Sequence, residues 1–302
     1  MERDNNYDVI IIGGSYAGLQ AAMTLGRALR RVLVIDSGKP CNRQTPKSHN
    51  FLTQDGETPS SIIQKAQEQL TVYNTVSIVN DTVTETINVD NVFRISTIFG
   101  LQFTSRKVLF ATGIKDIMPA IEGFAACWGI SVIHCPYCHG YEVHHQYTGV
   151  LANGDTAYEY AKLINNWTHK LTVFTNGPST LNSQQEQMLR AKNIEVVDAR
   201  IQEIGHNKGQ MKYLMFNDGS QQPLSALYAR VPFEQHSRLP VYMGCEVTDN
   251  GLLKVDSLGK TNIYGLYAAG DNASLMRSVA GAVAAGMAAG AAINKELIED
   301  DF

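Results

Sequence analysis

The stretch Val9-Ile10-Ile11-Ile12-Gly13-Gly14-Ser15-Tyr16-Ala17-Gly18 decides how this chain folds. Four apolar residues in a row, without alternation, suit a strand covered on both faces. The glycines that follow make a tight turn, and Leu19 to Leu29 carries apolar residues at helical spacing. Val32 to Ile35 is a second apolar run, closed by Asp36. Strand, glycine turn, helix, strand and terminal acid together form the βαβ unit that binds dinucleotides. Small residues let the backbone approach a pyrophosphate, the helix start offers free N–H groups, and the acid reaches ribose hydroxyls. Gly13, Gly14, Ser15, Ala17 and Gly18 are therefore expected around a pyrophosphate. Asp36, close to the ~20-residue spacing expected after the turn, is expected on the ribose. Ser15 stands where the usual motif has its second glycine, so the turn there must keep φ negative.

Outward from this unit, residues 37 to 60 read as loop, with Gly38, Pro40, Pro46, Gly56 and Pro59, and a helix is predicted over 61 to 73. Val76 to Phe110 alternates apolar and polar residues, which predicts an inserted antiparallel sheet. A second βαβ-like unit begins near residue 148: strand Thr148 to Leu151, turn Ala152-Asn153-Gly154-Asp155-Thr156-Ala157, helix Tyr158 to Trp167, strand Leu171 to Phe174. A helix over 184 to 192 and strands over 194 to 232 follow. Gly265 to Asp271 is a strand running into a turn, and an Ala/Gly-rich helix spans about 278 to 294. The two dinucleotide-type units are the internal repeat of the chain.

A formal net charge of −4 and no basic cluster argue against a nucleic-acid partner. The N-terminal run from Met1 to Ile12 has too short an apolar segment for a signal peptide. The Ala/Gly run 279 to 293 is shorter than the ~20 residues of a spanning helix. A cytoplasmic protein without a membrane partner is expected. Five cysteines without a leader are not a secreted disulfide framework. Cys41, Cys127 and Cys245 are expected as small buried hydrophobes, and Cys135 and Cys138 as the chemical pair.

That pair stands in His134-Cys135-Pro136-Tyr137-Cys138-His139. A C-x-x-C pair can cycle between dithiol and disulfide, with one thiol of lowered pKa as the attacking species. His139 is placed to move its proton. The same letters fit c-type haem attachment, the glutaredoxin tetrapeptide, or a zinc site completed by His134, His139, His144 or His145.

Placement along the whole chain separates these readings. The Gly13–Gly18 turn, His49-Asn50-Phe51, Ala111-Thr112-Gly113, the C-x-x-C pair shortly before the second turn, and Gly270-Asp271 resemble the low-molecular-weight thioredoxin reductases. The resemblance implies an α/β fold of two Rossmann-like domains, the second inserted in the first, each with an antiparallel β insertion. The expected boundaries are 1–116 with 246–302 for an FAD-binding domain, and 117–245 for the Cys-bearing domain. It also implies FAD contacts at Asn50, at Ala111, Thr112 and Gly113, and at Gly270 and Asp271. Backbone near Ser278 and Val279 would face the flavin ring, where a helix start favours negative charge. Cys138 would exchange electrons with the flavin and Cys135 with substrate. Thioredoxin reductases carry Asp after the second cysteine; here it is His139. The run Cys138-His139-Gly140-Tyr141-Glu142 is closer to the gliotoxin-type dithiol oxidases, where that histidine is the proton acceptor. Homodimers are expected, with a small disulfide or dithiol, or a thioredoxin-like protein, as partner.

The second nucleotide turn departs from the pattern. It reads Ala152-x-Gly154-x-x-Ala157, and Thr175-Asn176-Gly177 stands where the family has its 2′-phosphate-binding basic run. The family's Gly-His segment is replaced by Ala229-Arg230-Val231-Pro232. Use of NADPH or NADH is therefore open. A reductase, an oxygen-linked dithiol oxidase and a non-catalytic flavin-bearing sensor are the functions to separate, and the intact pair disfavours the last.

Overall fold

Residues 5–302 are described by a computed structural model; the Met1–Asp4 part of the N-terminal reading lies outside the described residues. β1 (Asn6–Ile12) buries Val9, Ile10 and Ile11 completely, as an unbroken apolar strand must. Helix α1 (Tyr16–Arg27) follows, ended by Leu29 in a left-handed conformation at φ 61°. β2 (Val32–Asp36), helix α2 (Pro59–Leu70), β3 (Val76–Asn80), β4 (Val83–Val89), β5 (Val92–Thr97), β6 (Gln102–Phe110) and the short β7 (Ile114–Asp116) come next.

The antiparallel insertion is smaller than the alternation predicted. β3 pairs in parallel with β2, from Val32 opposite Val76 to Asp36 opposite Asn80, so it belongs to the parallel sheet. Its apolar side chains divide between two cores: Val76 and Ile78 pack on the helix side and Val79 on the other face. Only β4, β5 and the start of β6 form the antiparallel meander. β6 serves both parts, since it also runs parallel to β1 from Thr104 to Phe110.

The chain then builds a second unit. Helix α3 (Phe124–Cys127), β8 (Val132–Ile133), helix α4 (Pro136–His139), β9 (Thr148–Leu151), helix α5 (Gly154–Ile164), β10 (Leu171–Phe174), helix α6 (Ser183–Ala191) and β11 (Glu195–Val197) precede the antiparallel β12 (Ile201–Asn207), β13 (Gln210–Phe216) and β14 (Gln221–Pro223). β15 (Ala226–Ala229) completes a parallel sheet of order β11-β10-β9-β15-β8. From β9 the chain runs outward through β10 to β11 and then returns to the other side of β9 as β15, so the topological switch point lies between β9 and β15.

The return path is β16 (Phe233–Gln235), helix α7 (Leu239–Tyr242), β17 (Leu266–Ala268) and helix α8 (Val279–Asp301). With β17 beside β6, the first sheet has seven strands among the described residues, β3-β2-β1-β6-β5-β4 plus β17. Contacts divide the chain into one compact unit up to Arg43, Phe51–Lys115 and Phe233–Phe302, and another of Gln44–Asn50 with Asp116–Pro232. The return therefore falls at Pro232/Phe233, before the expected 245/246. β16 pairs with β7, and Leu239, Met243 and Cys245 pack into the core that holds Ile10 and Phe110. Residues 44–50 also leave the expected grouping. The Gln44 amide donates to the carbonyls of Ala125 (3.3 Å) and Trp128 (3.2 Å), which ties this segment to the second unit.

The Ala/Gly helix α8 packs on α1, as close-packed small residues allow. A Cβ on Gly286 would lie 2.1 Å from the Ala17 carbonyl oxygen, and one on Gly290 3.1 Å from that of Ala21. Among the described residues no helix is long and apolar enough to cross a membrane. α8 outruns its predicted end at 294 because its polar tail is anchored by charge. Lys107, 1% exposed on β6, meets Glu296 at 2.8 Å and Asp300 at 2.8 Å. Glu296 also pairs with Lys260, and the Tyr264 ring centroid lies 4.0 Å from the Lys107 ammonium. Burial pulls the Lys107 pKa down, but hydrogen bonds to Asp300 and Glu296 outweigh it and the net shift is upward. Burial likewise raises Glu296, and its two lysines reverse that to a net lowering.

Candidate active site

The first nucleotide turn is built as its sequence implies. Gly13 sits at φ 110°, and a Cβ there would lie 2.3 Å from the Ala111 carbonyl oxygen. A Cβ on Gly18 would lie 1.9 Å from the Gly13 oxygen, so both positions require glycine. Gly14 donates its N–H to Asp36 Oδ1 at 2.9 Å, which brings the acid of β2 to the turn. Ser15 takes the negative φ expected of it, −96°, and offers no side-chain cap. With no acid in the first turn of α1, its leading N–H groups suit an anion.

Two distant segments converge on the same end of the sheet. Ala111 N–H donates to the Ile12 carbonyl at 2.8 Å, and Ala269 N–H to that of Phe110 at 3.1 Å. Gly270, at φ 94°, lies against Ala17; a Cβ there would be 3.2 Å from that methyl. Asp271 pairs with Arg277 at 3.6 Å and accepts from the Cys41 thiol at 3.8 Å. Cys41 is exposed, which corrects its reading as a buried hydrophobe; Cys127 and Cys245 are buried, and burial raises both thiols. Ser278 uses its hydroxyl to cap α8, accepting from Gly281 N–H at 3.0 Å, so its side chain serves the helix start beside Val279.

Buried polar atoms test whether a dinucleotide fits here. Thr112 Oγ1, Asn42 Oδ1, Asn272 Oδ1 and Gln235 Oε1 are buried with no partner among the described residues. Asn42 donates to Tyr16 Oη at 3.0 Å, Asn272 to the Phe110 carbonyl at 2.8 Å, and Gln235 to the Asn272 carbonyl at 2.9 Å. Buried acceptors are normally satisfied. Four left over along the segments that meet this turn fit a polar group such as FAD. Asn42, Asn272, Gln235 and Arg277 escaped the sequence reading because no motif spaces them; only folding gathers them.

The second unit holds the sulfurs. Cys135 and Cys138 are disulfide-bonded, with Cα atoms 5.3 Å apart. Cys135 is the N-cap of α4, Pro136 takes the first helical position, and Cys138 and His139 N–H donate to the Cys135 carbonyl at 3.2 and 3.1 Å. The Tyr137 ring meets Trp167 edge-on at 5.4 Å, and Tyr137, Tyr141 and Tyr147 are exposed. His134 stacks on Trp128 with centroids 6.0 Å apart. His139 titrates far below an ordinary histidine, at about 4, because burial disfavours its cation and His49 adds a like charge. It is therefore uncharged near pH 7. Asn50, at φ 61°, belongs with this unit through the 44–50 segment.

The second nucleotide turn is filled by its own chain. Asn153 caps α5, which starts at Gly154, ahead of the predicted Tyr158. Its Oδ1 accepts from Gly154 N–H (2.9 Å), Thr180 N–H (2.8 Å) and the Thr180 hydroxyl (3.1 Å), and its Nδ2 donates to the Pro178 carbonyl (2.9 Å). A Cβ on Gly154 would lie 2.8 Å from Thr180 Oγ1. Asp155 accepts from Gln185 at 2.7 Å, and Asn176 accepts from Ile201 N–H at 2.8 Å. One basic group does stand near Gly177: the Arg200 guanidinium, 3.8 Å from where a Gly177 Cβ would be. It arrives from the loop before β12, out of reach of a local motif. Arg230, after β15, lies over the Tyr160 ring at 4.8 Å.

Residues 7–286 match the profile of a family described as pyridine nucleotide-disulphide oxidoreductase. A protein named thioredoxin reductase tcpT from Claviceps purpurea (strain 20.1) is 31% identical over 99% of this chain and 97% of its own length. Among solved structures, an oxidoreductase from Agrobacterium tumefaciens is 35% identical with a TM-score of 0.91, covering 97% of this chain and 99% of its own. A putative thioredoxin reductase TrxB from Bacillus anthracis is 29% identical with a TM-score of 0.93, covering 98% and 100%.

Proposed function

Because the chain belongs to the pyridine nucleotide-disulphide oxidoreductase family, we propose that it is a thioredoxin reductase-like flavoprotein that moves electrons between FAD and a small substrate disulfide or dithiol through Cys135 and Cys138. The observation that carries this is the Cys135–Cys138 disulfide with a neutral histidine directly after it. Thiol–disulfide exchange proceeds through a thiolate, so a group able to accept a thiol proton belongs beside the pair. In this reading Cys135 forms the mixed disulfide with substrate, Cys138 is the sulfur that communicates with the flavin, and His139 holds the proton. FAD, when bound, supplies a two-electron acceptor and donor. The Gly13–Gly18 turn and the start of α1 would hold its pyrophosphate and Asp36 its ribose. Thr112, Asp271 and the backbone of Ala111, Gly113, Gly270, Ser278 and Val279, all of the same unit, would complete the contacts. The discontinuous unit thus takes the FAD role and the inserted unit the pyridine-nucleotide role, with two copies of the chain as the working assembly.

The family carries FAD and a pyridine nucleotide, and which nucleotide serves here is a separate question. One observation favours a second reading, an oxygen-linked dithiol oxidase that takes its electrons from the dithiol. Asn153 already satisfies the Gly154 N–H, which a pyrophosphate would use at the start of α5, and ties it to Thr180. Anaerobic stopped-flow with NADPH, NADH and dithiothreitol, following flavin absorbance, tests both. Bleaching by dithiothreitol supports the sulfur chemistry, and its absence rejects it. Rapid bleaching by either nucleotide rejects the oxidase reading, as does failure to release peroxide from dithiol in air.

A further inference from the structure

His49 is remote from the sulfurs in sequence, but residues 44–50 pack with the second unit. Its Nε2 lies 3.4 Å from Glu142 Oε1, and Glu142 follows His139 in the turn that leaves α4. The same His49 is the ionisable group whose charge bears on His139. Exposure rises outward along the set: the His49 side chain is 19% exposed and that of Glu142 41%. The neighbouring rings are otherwise engaged. Tyr141 stacks on His144 at 5.1 Å, His144 meets His145 at 4.8 Å, His144 Nδ1 bonds the Tyr141 carbonyl, and His134 stacks on Trp128.

We propose that His49, held by Glu142, is the outer half of a proton path that begins at His139 and serves thiol–disulfide exchange at Cys135. The inference rests on the thiol–disulfide reading above. In the oxidising direction one substrate thiol gives its proton to His139, its thiolate attacks Cys135 Sγ, and the Cys135–Cys138 bond breaks with Cys138 leaving as thiolate. His139 then passes that proton through His49 to solvent at Glu142 and is neutral again. The second substrate thiol repeats the transfer and attacks its own sulfur in the mixed disulfide, and Cys135 leaves as thiolate. The substrate has lost two electrons and two protons, the pair has gained the two electrons, and both protons have reached solvent. A half-buried histidine must shed its charge before it can act twice. A second imidazole, with Glu142 Oε1 3.4 Å from its Nε2 and more exposed to solvent, gives the proton a next acceptor on the way out. His49 is thus a positioning residue for the proton, acting through His139.

The experiment uses the FAD-loaded protein with dithiothreitol as probe, anaerobically, from about pH 5.5 to 9. It compares wild type with His49→Gln, Glu142→Gln and His49→Ala. Both glutamine variants should slow reduction about tenfold near pH 6.5, less than the ~10²–10⁴ of a direct proton-transfer group because His49 and Glu142 act through His139. They should converge on wild type at the alkaline end, where hydroxide and substrate thiolate replace the path. Added imidazole should restore His49→Ala. Independently of turnover, NMR titration should find the His139 pKa raised in His49→Gln, since a like charge is gone. Equal slowing at every pH without imidazole rescue would make His49 merely structural and overturn the path, as would unchanged rates or an unmoved His139 pKa. Wild type that dithiothreitol cannot reduce at all would instead sink the underlying thiol–disulfide reading.

Discussion

Replacing Glu296 by Gln tests how the first unit is held closed. Glu296 is flanked by Lys107 at 2.8 Å and by Lys260, and Lys107 is 1% exposed. Removing one partner of a buried pair costs about 3–5 kcal/mol, chiefly by stranding the other charge. Lys107 keeps Asp300 at 2.8 Å and the Tyr264 ring, so the lower end, about 3 kcal/mol, is expected. At about 2–4 °C per kcal/mol for a unit of this size, the first unit should melt some 6–12 °C lower. The double variant Lys107→Met/Glu296→Met should recover most of the loss, because an apolar pair strands no charge. The pH dependence has a definite sign. The folded pKa of Glu296 is depressed, so its contribution is present above the ordinary carboxylate value and fades as acid reaches the folded one. The folded pKa of Lys107 is raised, so its contribution is present below the ordinary lysine value and is lost in alkali above it. The melting difference between wild type and Glu296→Gln should therefore stay flat from about pH 6 to 9 and shrink below about pH 4. Thermal unfolding by circular dichroism reads it. A drop under about 2 °C, or a difference that decays within the neutral range, would refute the reasoning.

Three further outcomes are expected. Gly18→Ala places a methyl 1.9 Å from the Gly13 oxygen, so the turn must open and the purified protein should lose its flavin; an unchanged flavin-to-protein absorbance ratio would contradict this. Cys135→Ser should leave Cys138 free to give a long-wavelength thiolate–flavin band, and a band found instead in Cys138→Ser would reverse the two sulfurs. Asn153→Gly unties Gly154 and Thr180 while costing only a few tenths of a kcal/mol as a cap, so calorimetry should find NADPH binding at least about tenfold tighter, and unaltered affinity would mean the tie does not guard the turn.

What local pattern can carry, the chain carried openly. The first βαβ unit was legible because burial on both faces forces an unbroken apolar strand and a pyrophosphate turn forces glycine. The boundaries that slipped did so for nameable reasons. The strand at 76–80 alternates like an antiparallel one yet is covered on both faces, and α8 continues past its apolar run because Glu296 and Asp300 find buried and half-exposed lysine partners. The crossing at 232/233 depends on β16 finding β7, a pairing between segments far apart in the chain.

Cys135, Cys138 and His139 are neighbours along the backbone, so the group could be picked out from spacing alone, while the choice among its possible chemistries rested on its placement along the whole chain. The same holds for Gly13, Gly18 and Asp36, whose separation is set by one turn and one helix. The tertiary structure decided everything that depends on distant segments meeting. It set His49 beside Glu142 and, through burial and then the His49 charge, left His139 uncharged near pH 7. It gathered Asn42, Asn272 and Gln235 with their unpartnered oxygens along the segments that meet the first turn, and it laid Thr180 across the second. Local spacing determines which atoms a backbone turn can present. Burial and charge, which set what those atoms do, exist only once the chain has closed around them.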